Sequence, residues 1–190
     1  MGRERPGTRT PPGTQPVDCD KESRFYMRLD TVRDGLHSLP ITRAWQEVGD
    51  RVDAAFFYSD KMYLIKGEQV YIYLVDSNFT LIGDRPRSLK SELGIEGPVD
   101  AAFHCFNDHL VHIIQGNRMR DINLIATPRF IMKDRTLPLS DIDAGLCDSD
   151  GVKLFKGSDY YHFRNVELLA RAKIAPEPKK ITSAMLGCED

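Results

Sequence analysis

Three stretches of this chain are copies of one pattern, and that repetition limits the fold more than any other feature. They are VDAAFFYSDKMYLIKGEQVYIYL (52–74), VDAAFHCFNDHLVHIIQGNRMRDINL (99–124) and IDAGLCDSDGVKLFKGSDYYHFR (142–164). Each opens with a β-branched residue, Asp and Ala, then gives a small residue and a large apolar one. A polar turn, an alternating strand, a glycine and a second alternating strand follow. The openings lie 47 and 43 residues apart, the size of one four-stranded propeller blade.

The strands have the residues that a pleated, packed surface needs. Met62-Tyr63-Leu64-Ile65 and Tyr71-Ile72-Tyr73-Leu74 are β-branched, aromatic and aliphatic. Gly67, Gly116 and Gly157 each stand between the second and third strands of a repeat, where a tight hairpin asks for positive φ. Ala54-Ala55 and Ala101-Ala102 are small, as crowding around a propeller axis requires. Phe79-Thr80-Leu81-Ile82 supplies a fourth strand in the first repeat. A short helix over Ser88–Leu93 follows, with Ser88 as its N-cap and Gly94 ending it.

Residues 1–20 hold four prolines and three glycines and no periodic apolar face, so residues 1–23 are expected to be a disordered leader. The propeller is expected over 24–190, with a partial blade at 24–50 and blades at about 51–97, 98–140 and 141–188. In the partial blade, Phe25–Asp30 reads as a third strand whose inner two strands are missing. The chain turns helical over Val166–Lys173. The fold class is therefore all-β: a four-bladed β-propeller with its first blade incomplete and short helices between blades.

A formal charge of −2 supplies no basic field for nucleic acid. No apolar run approaches the ~20 residues that span a bilayer, and the first residues lack the apolar core of a signal peptide. Four cysteines, at 19, 105, 147 and 188, form no C-x-x-C pair. Two long-range disulfides in an oxidising compartment fit them better than four free thiols, which points to an altered or shortened N-terminus. H-E-x-x-H, G-x-S-x-G, P-loop and Rossmann signatures are all missing. The chain reads as a binding protein and not an enzyme.

The Asp-Ala-Ala openings, the blade length and the glycine spacing resemble the repeats of the hemopexin family, which also supply protein-docking domains to matrix metalloproteinases. RLDTVRDGLHSLPI (28–41), the 52–74 core and VELLARAKIAPEPKKITSAMLGC (166–188) look like the C-terminal propeller of the family's plasma haem carriers, with loops of the fish type. The resemblance covers about residues 24 to 188. It implies a secreted, monomeric plasma glycoprotein that binds and transports haem beside an N-terminal propeller missing here, and that meets a clearance receptor. The alternative is a protein-recognition propeller without haem.

Residue by residue, the resemblance implies that His37, on a loop after Asp34-Gly35, is an axial ligand to haem iron. Apart from the resemblance, His37 is a surface-loop histidine. No histidine precedes it to act as the second ligand, and Leu36 and Leu39 stand where aromatic residues are expected. Backbone carbonyls at Asp53, Asp100 and Asp143 are implied to hold a calcium or sodium ion in a central channel. The plainer alternative is that these aspartates fix the strand starts by hydrogen bonding.

Cys105 and Cys147 fall at the ends of inner strands in adjacent repeats, and the resemblance gives the same disulfide. Cys19 and Cys188 are expected to clasp the last blade to the first. Asn78-Phe79-Thr80 is a glycosylation sequon in a turn-like stretch. His109 and His112 are three apart on a strand, which sends them to opposite faces and excludes a shared metal. Asp148-Ser149-Asp150-Gly151 reads as a hairpin turn and not a calcium loop.

Overall fold

The structure, a computed structural model, describes residues 25–30, 35–49, 51–76, 78–106 and 108–181, with side chains from residue 40 onward. β1 (Phe25–Asp30) and β2 (Gly35–Pro40) form an antiparallel two-stranded sheet, followed by the short helix α1 (Ile41–Ala44). The first repeat builds β3 (Ala54–Tyr58), β4 (Lys61–Lys66), β5 (Gln69–Leu74) and the two-residue β6 (Thr80–Leu81). β7 (Arg87–Ser88) takes up the rest of the β5 edge before helix α2 (Leu89–Leu93).

The second repeat is β8 (Ala101–His104), β9 (Leu110–Gln115), β10 (Arg118–Asn123) and β11 (Ile131–Thr136). The third is β12 (Ala144–Asp148), β13 (Gly151–Lys156), β14 (Asp159–Phe163), helix α3 (Val166–Arg171) and β15 (Lys179–Lys180). Within each repeat the strands pair antiparallel in chain order, except that β7 pairs with β5 beside β6.

The expected all-β character with short helices is present. The described strands make one five-stranded sheet, two four-stranded sheets and one two-stranded sheet, and among the described residues no strand pairing joins these sheets into a closed ring. The leader, Cys19 and Cys188 lie outside the described residues.

Why β4 and β5 are apolar over their four central residues follows from the packing. Tyr63, Ile65, Val70 and Ile72 face the second sheet, meeting Val111, Ile113 and Ile122 in one core. Their neighbours Met62, Leu64, Tyr71 and Tyr73 face the other way, onto Ile41, Trp45 and Val48. A second core joins the remaining face of the middle sheet, with Phe103, Ile114 and Met119, to Val152, Leu154 and Phe163 of the third. A strand buried on both faces has no polar side to show.

The innermost strands β3, β8 and β12 contact one another, and small residues permit the approach. A Cβ on Gly145 would press into the ring of Phe103. Gly67, Gly116 and Gly157 have φ of 56, 61 and 58° with no positive φ at the residue after them, the signature of a type II′ hairpin with glycine first. Ser88 caps α2 by accepting from the Ser91 amide, and Gly94 ends it at φ 74°.

Candidate functional site

The three repeat-opening aspartates take up equivalent positions. The backbone N–H of Asp53, Asp100 and Asp143 donates to the carbonyl of Ile65, Ile114 and Phe155 on the second strand of each repeat. Their carboxylates accept from the amides of Gly67, Gly116 and Gly157 at 2.7, 2.5 and 2.6 Å. The side chains thus clasp the start of each inner strand to the hairpin two strands away. Their carboxylates are committed to that bond.

A cavity of about 260 Å3 lies between the inner strands, lined by Asp53, Ala54, Ala55, Ala102, Asp143, Ala144 and neighbours. It brings Asp53 and Asp143 together; Asp100 is not in its lining. Among the described residues no group of three or more His, Cys, Asp or Glu side chains could hold a metal. An ion in this cavity would therefore have main-chain oxygens as its donors, which suits a hard cation such as calcium or sodium.

His37 sits on β2 and not on the expected loop, directly opposite Arg28 in the β1–β2 register. Gly35 opens that strand, and Asp34 lies outside the described residues.

The other histidines are placed by their own neighbours. His104 Nδ1 donates to the Leu110 carbonyl at 2.9 Å, and His162 Nε2 to the Asp150 carbonyl at 2.9 Å. His109 is exposed just before β9, 2.7 Å from the Tyr58 hydroxyl. His112 is buried, its Nδ1 donating to Asp121 at 2.9 Å while Nε2 has no hydrogen-bond partner among the described residues. His109 and His112 do not converge on one site.

The trio of buried His112, buried Asp121 and half-buried Arg135 carries no signal in the sequence. Arg135 Nη1 donates to the second Asp121 oxygen at 2.8 Å. Burial alone pushes the Asp121 carboxyl up, but the His112 hydrogen bond and the His112 and Arg135 charges outweigh it and hold the group below its usual range. Only strand register brings these three together, since Met119↔Arg135 and Asp121↔His112 are cross-strand pairs on one face.

Cys105 and Cys147 form a disulfide with Cα atoms 5.2 Å apart, joining the inner ends of the second and third sheets. Asn78 is exposed on a turn shaped by Asp76, whose carboxylate accepts from the Asn78 and Thr80 amides. Asp148–Gly151 is a hairpin turn between β12 and β13, with the Asp150 amide bonded to Asp148.

No family model matches the chain. It is 39% identical over 167 residues to hemopexin of Danio rerio, covering 87% of this chain and 37% of that protein. It is 36% identical over 180 residues to hemopexin of Homo sapiens, covering 86% and 39% respectively. Among solved structures, the hemopexin fold protein CP4 from cow pea superposes with a TM-score of 0.67 at 16% identity, over 85% of this chain and 86% of that one.

Repeated antiparallel sheets packed around a shared set of small inner strands define a hemopexin-fold protein. Sequence identity then goes further than the fold: the chain belongs to the hemopexin family. It spans about two fifths of the length of the curated relatives it matches.

Proposed function

We propose that this chain is a haem-binding, non-enzymatic part of a haem-transport protein, with His37 as its ligand to iron. The observation that carries the reading is 39% identity to a hemopexin along 87% of the chain. The chemistry supports it: a neutral imidazole binds haem iron well. Of the other four histidines, His112 is buried in the core, and His104 and His162 are each tied to a main-chain carbonyl.

The remaining expectations belong to the same reading. The chain works outside the cell as a monomer, carries a glycan on exposed Asn78, and meets an N-terminal propeller and a clearance receptor. Main-chain oxygens around Asp53 and Asp143 hold calcium or sodium in the inner cavity, with Asp100 outside its lining. Among the described residues no helix is long and apolar enough to cross a membrane.

Haemin titration of the wild type and His37→Ala, followed at the Soret band, tests the proposal. Saturable binding that His37→Ala weakens at least tenfold is expected; equal binding by the two proteins would remove His37 as a ligand. A protein-recognition role without haem is the second reading. It is favoured by Leu36 and Leu39, where the haem-binding pattern calls for aromatic residues, and a wild type that binds no haemin would select it.

A further inference from the structure

An open groove of about 910 Å3 lies beside the Cys105–Cys147 disulfide, at the end of the second and third sheets away from the glycine hairpins. Its size falls within the range of small-molecule sites. Its apolar lining comes from Phe106, Val166 and the disulfide itself. Phe106 is 77% exposed there, its ring meeting the His104 ring edge-on at 6.5 Å and leaving a large aromatic surface open.

The walls are fixed before any ligand arrives. The disulfide staples one side. On the other, Gly151 lies so close to the Phe163 and Arg164 main chain that a Cβ would clash, which seats the β12–β13 turn against the approach to α3. Asn165 caps α3 by accepting from the Leu168 amide.

The charges around this groove are unequal in their commitments. Asp148 is bound by Lys153 at 2.5 Å, and Glu167 pairs with Arg171 at 3.3 Å. Arg164 also lines the groove, is exposed, and has no hydrogen-bond or ion-pair partner among the described residues. One uncommitted guanidinium at an apolar groove is complementary to a carboxylate on an apolar body.

We infer that this groove binds a small amphiphilic monocarboxylate, its ring or chain against Phe106, Val166 and the disulfide and its carboxylate on Arg164. The site is separate from His37 and does not rest on the haem reading.

The probe is 1-naphthylacetate, titrated calorimetrically into the full chain, with the uncharged 2-(1-naphthyl)ethanol as control. Saturable binding is expected, at least fivefold weaker in Arg164→Gln and in Phe106→Ser, and largely restored in Arg164→Lys. The neutral alcohol should bind Arg164→Gln and wild type alike, and His37→Ala should keep full naphthylacetate affinity. Both altered groove positions are exposed, and unchanged melting curves establish that the variants fold. The inference is overturned if folded wild type shows no saturable binding, if Arg164→Gln binds as tightly as wild type, or if His37→Ala loses binding equally.

Discussion

The amide of Gly116 donates to the carboxylate of Asp100 across 2.5 Å, tying the start of an inner strand to the hairpin between the next two strands. The same bond joins Gly67 to Asp53 and Gly157 to Asp143. It explains why Asp opens each repeat and glycine sits 14 to 16 residues later. Asp100→Ala removes a charged acceptor at an exposed turn and should cost about 1 kcal/mol. Urea denaturation measures it, and an unshifted midpoint would show that the clasp contributes nothing.

The disulfide between Cys105 and Cys147 closes a loop with a sequence separation of 42. Chain entropy alone gives about 4 kcal/mol for a loop of that length. The Cys105→Ser/Cys147→Ser pair should therefore melt well below the wild type, and peptide mapping without reductant should recover the two cysteines linked. Free thiols at both positions in secreted protein would contradict the structure.

Glu92 of α2 is buried between two arginines. Arg87 Nη1 reaches one carboxylate oxygen at 2.8 Å and Arg129 Nη1 the other at 2.9 Å. Arg129 also donates to the Glu92 and Leu124 carbonyls at 2.6 Å each, so it ties α2 to the second sheet. Gly94 has no room for a Cβ because the Arg129 carbonyl lies against it. Glu92→Gln leaves a half-buried guanidinium short of its counter-charge and should destabilise by about 3 kcal/mol. In a double-mutant cycle with Arg129→Met the two losses should be far from additive; strict additivity would mean that the pair is not coupled.

Acid should weaken the fold partly through Asp121. Its carboxyl is held below the usual range in the folded chain, burial being outweighed by His112 and Arg135. A depressed carboxylate contributes stability that is complete above its unfolded pKa, about 4, and is lost as pH falls through the lower folded value. Stability measured from pH 6 down to pH 2 should fall less steeply in Asp121→Asn than in the wild type, from a lower starting point. Parallel curves would assign the acid sensitivity to other groups.

Much of this architecture is legible in the sequence because its signals are local or periodic. Glycine at the hairpins, Ser88 and Gly94 at the ends of α2, and the paired positions of Cys105 and Cys147 all follow from spacing. His37 on a strand does not, since Asp34-Gly35 reads as a sharp turn while Gly35 in fact opens β2. The His112–Asp121–Arg135 trio and the Glu92–Arg129 clasp are equally hidden. Both join residues far apart in the chain, through strand register and sheet packing that no short motif records. Asp53 and Asp143 also show how one residue serves two readings, because each gives its carboxylate to a hairpin amide and still lines the inner cavity.

The spin state of the haemin complex reads out how many histidines hold the iron. On the proposed reading His37 is the one histidine given to the iron, so the sixth position falls to water or stays open. The absorption spectrum of wild type with haemin should be that of five-coordinate or water-ligated iron, and added imidazole should convert it to a low-spin form. His37→Ala should lose the haemin complex or hold it only weakly. A low-spin bis-histidine spectrum from the wild type without added imidazole would contradict the single-ligand account. It would point to a second histidine, with the exposed ring of His109 the first to replace.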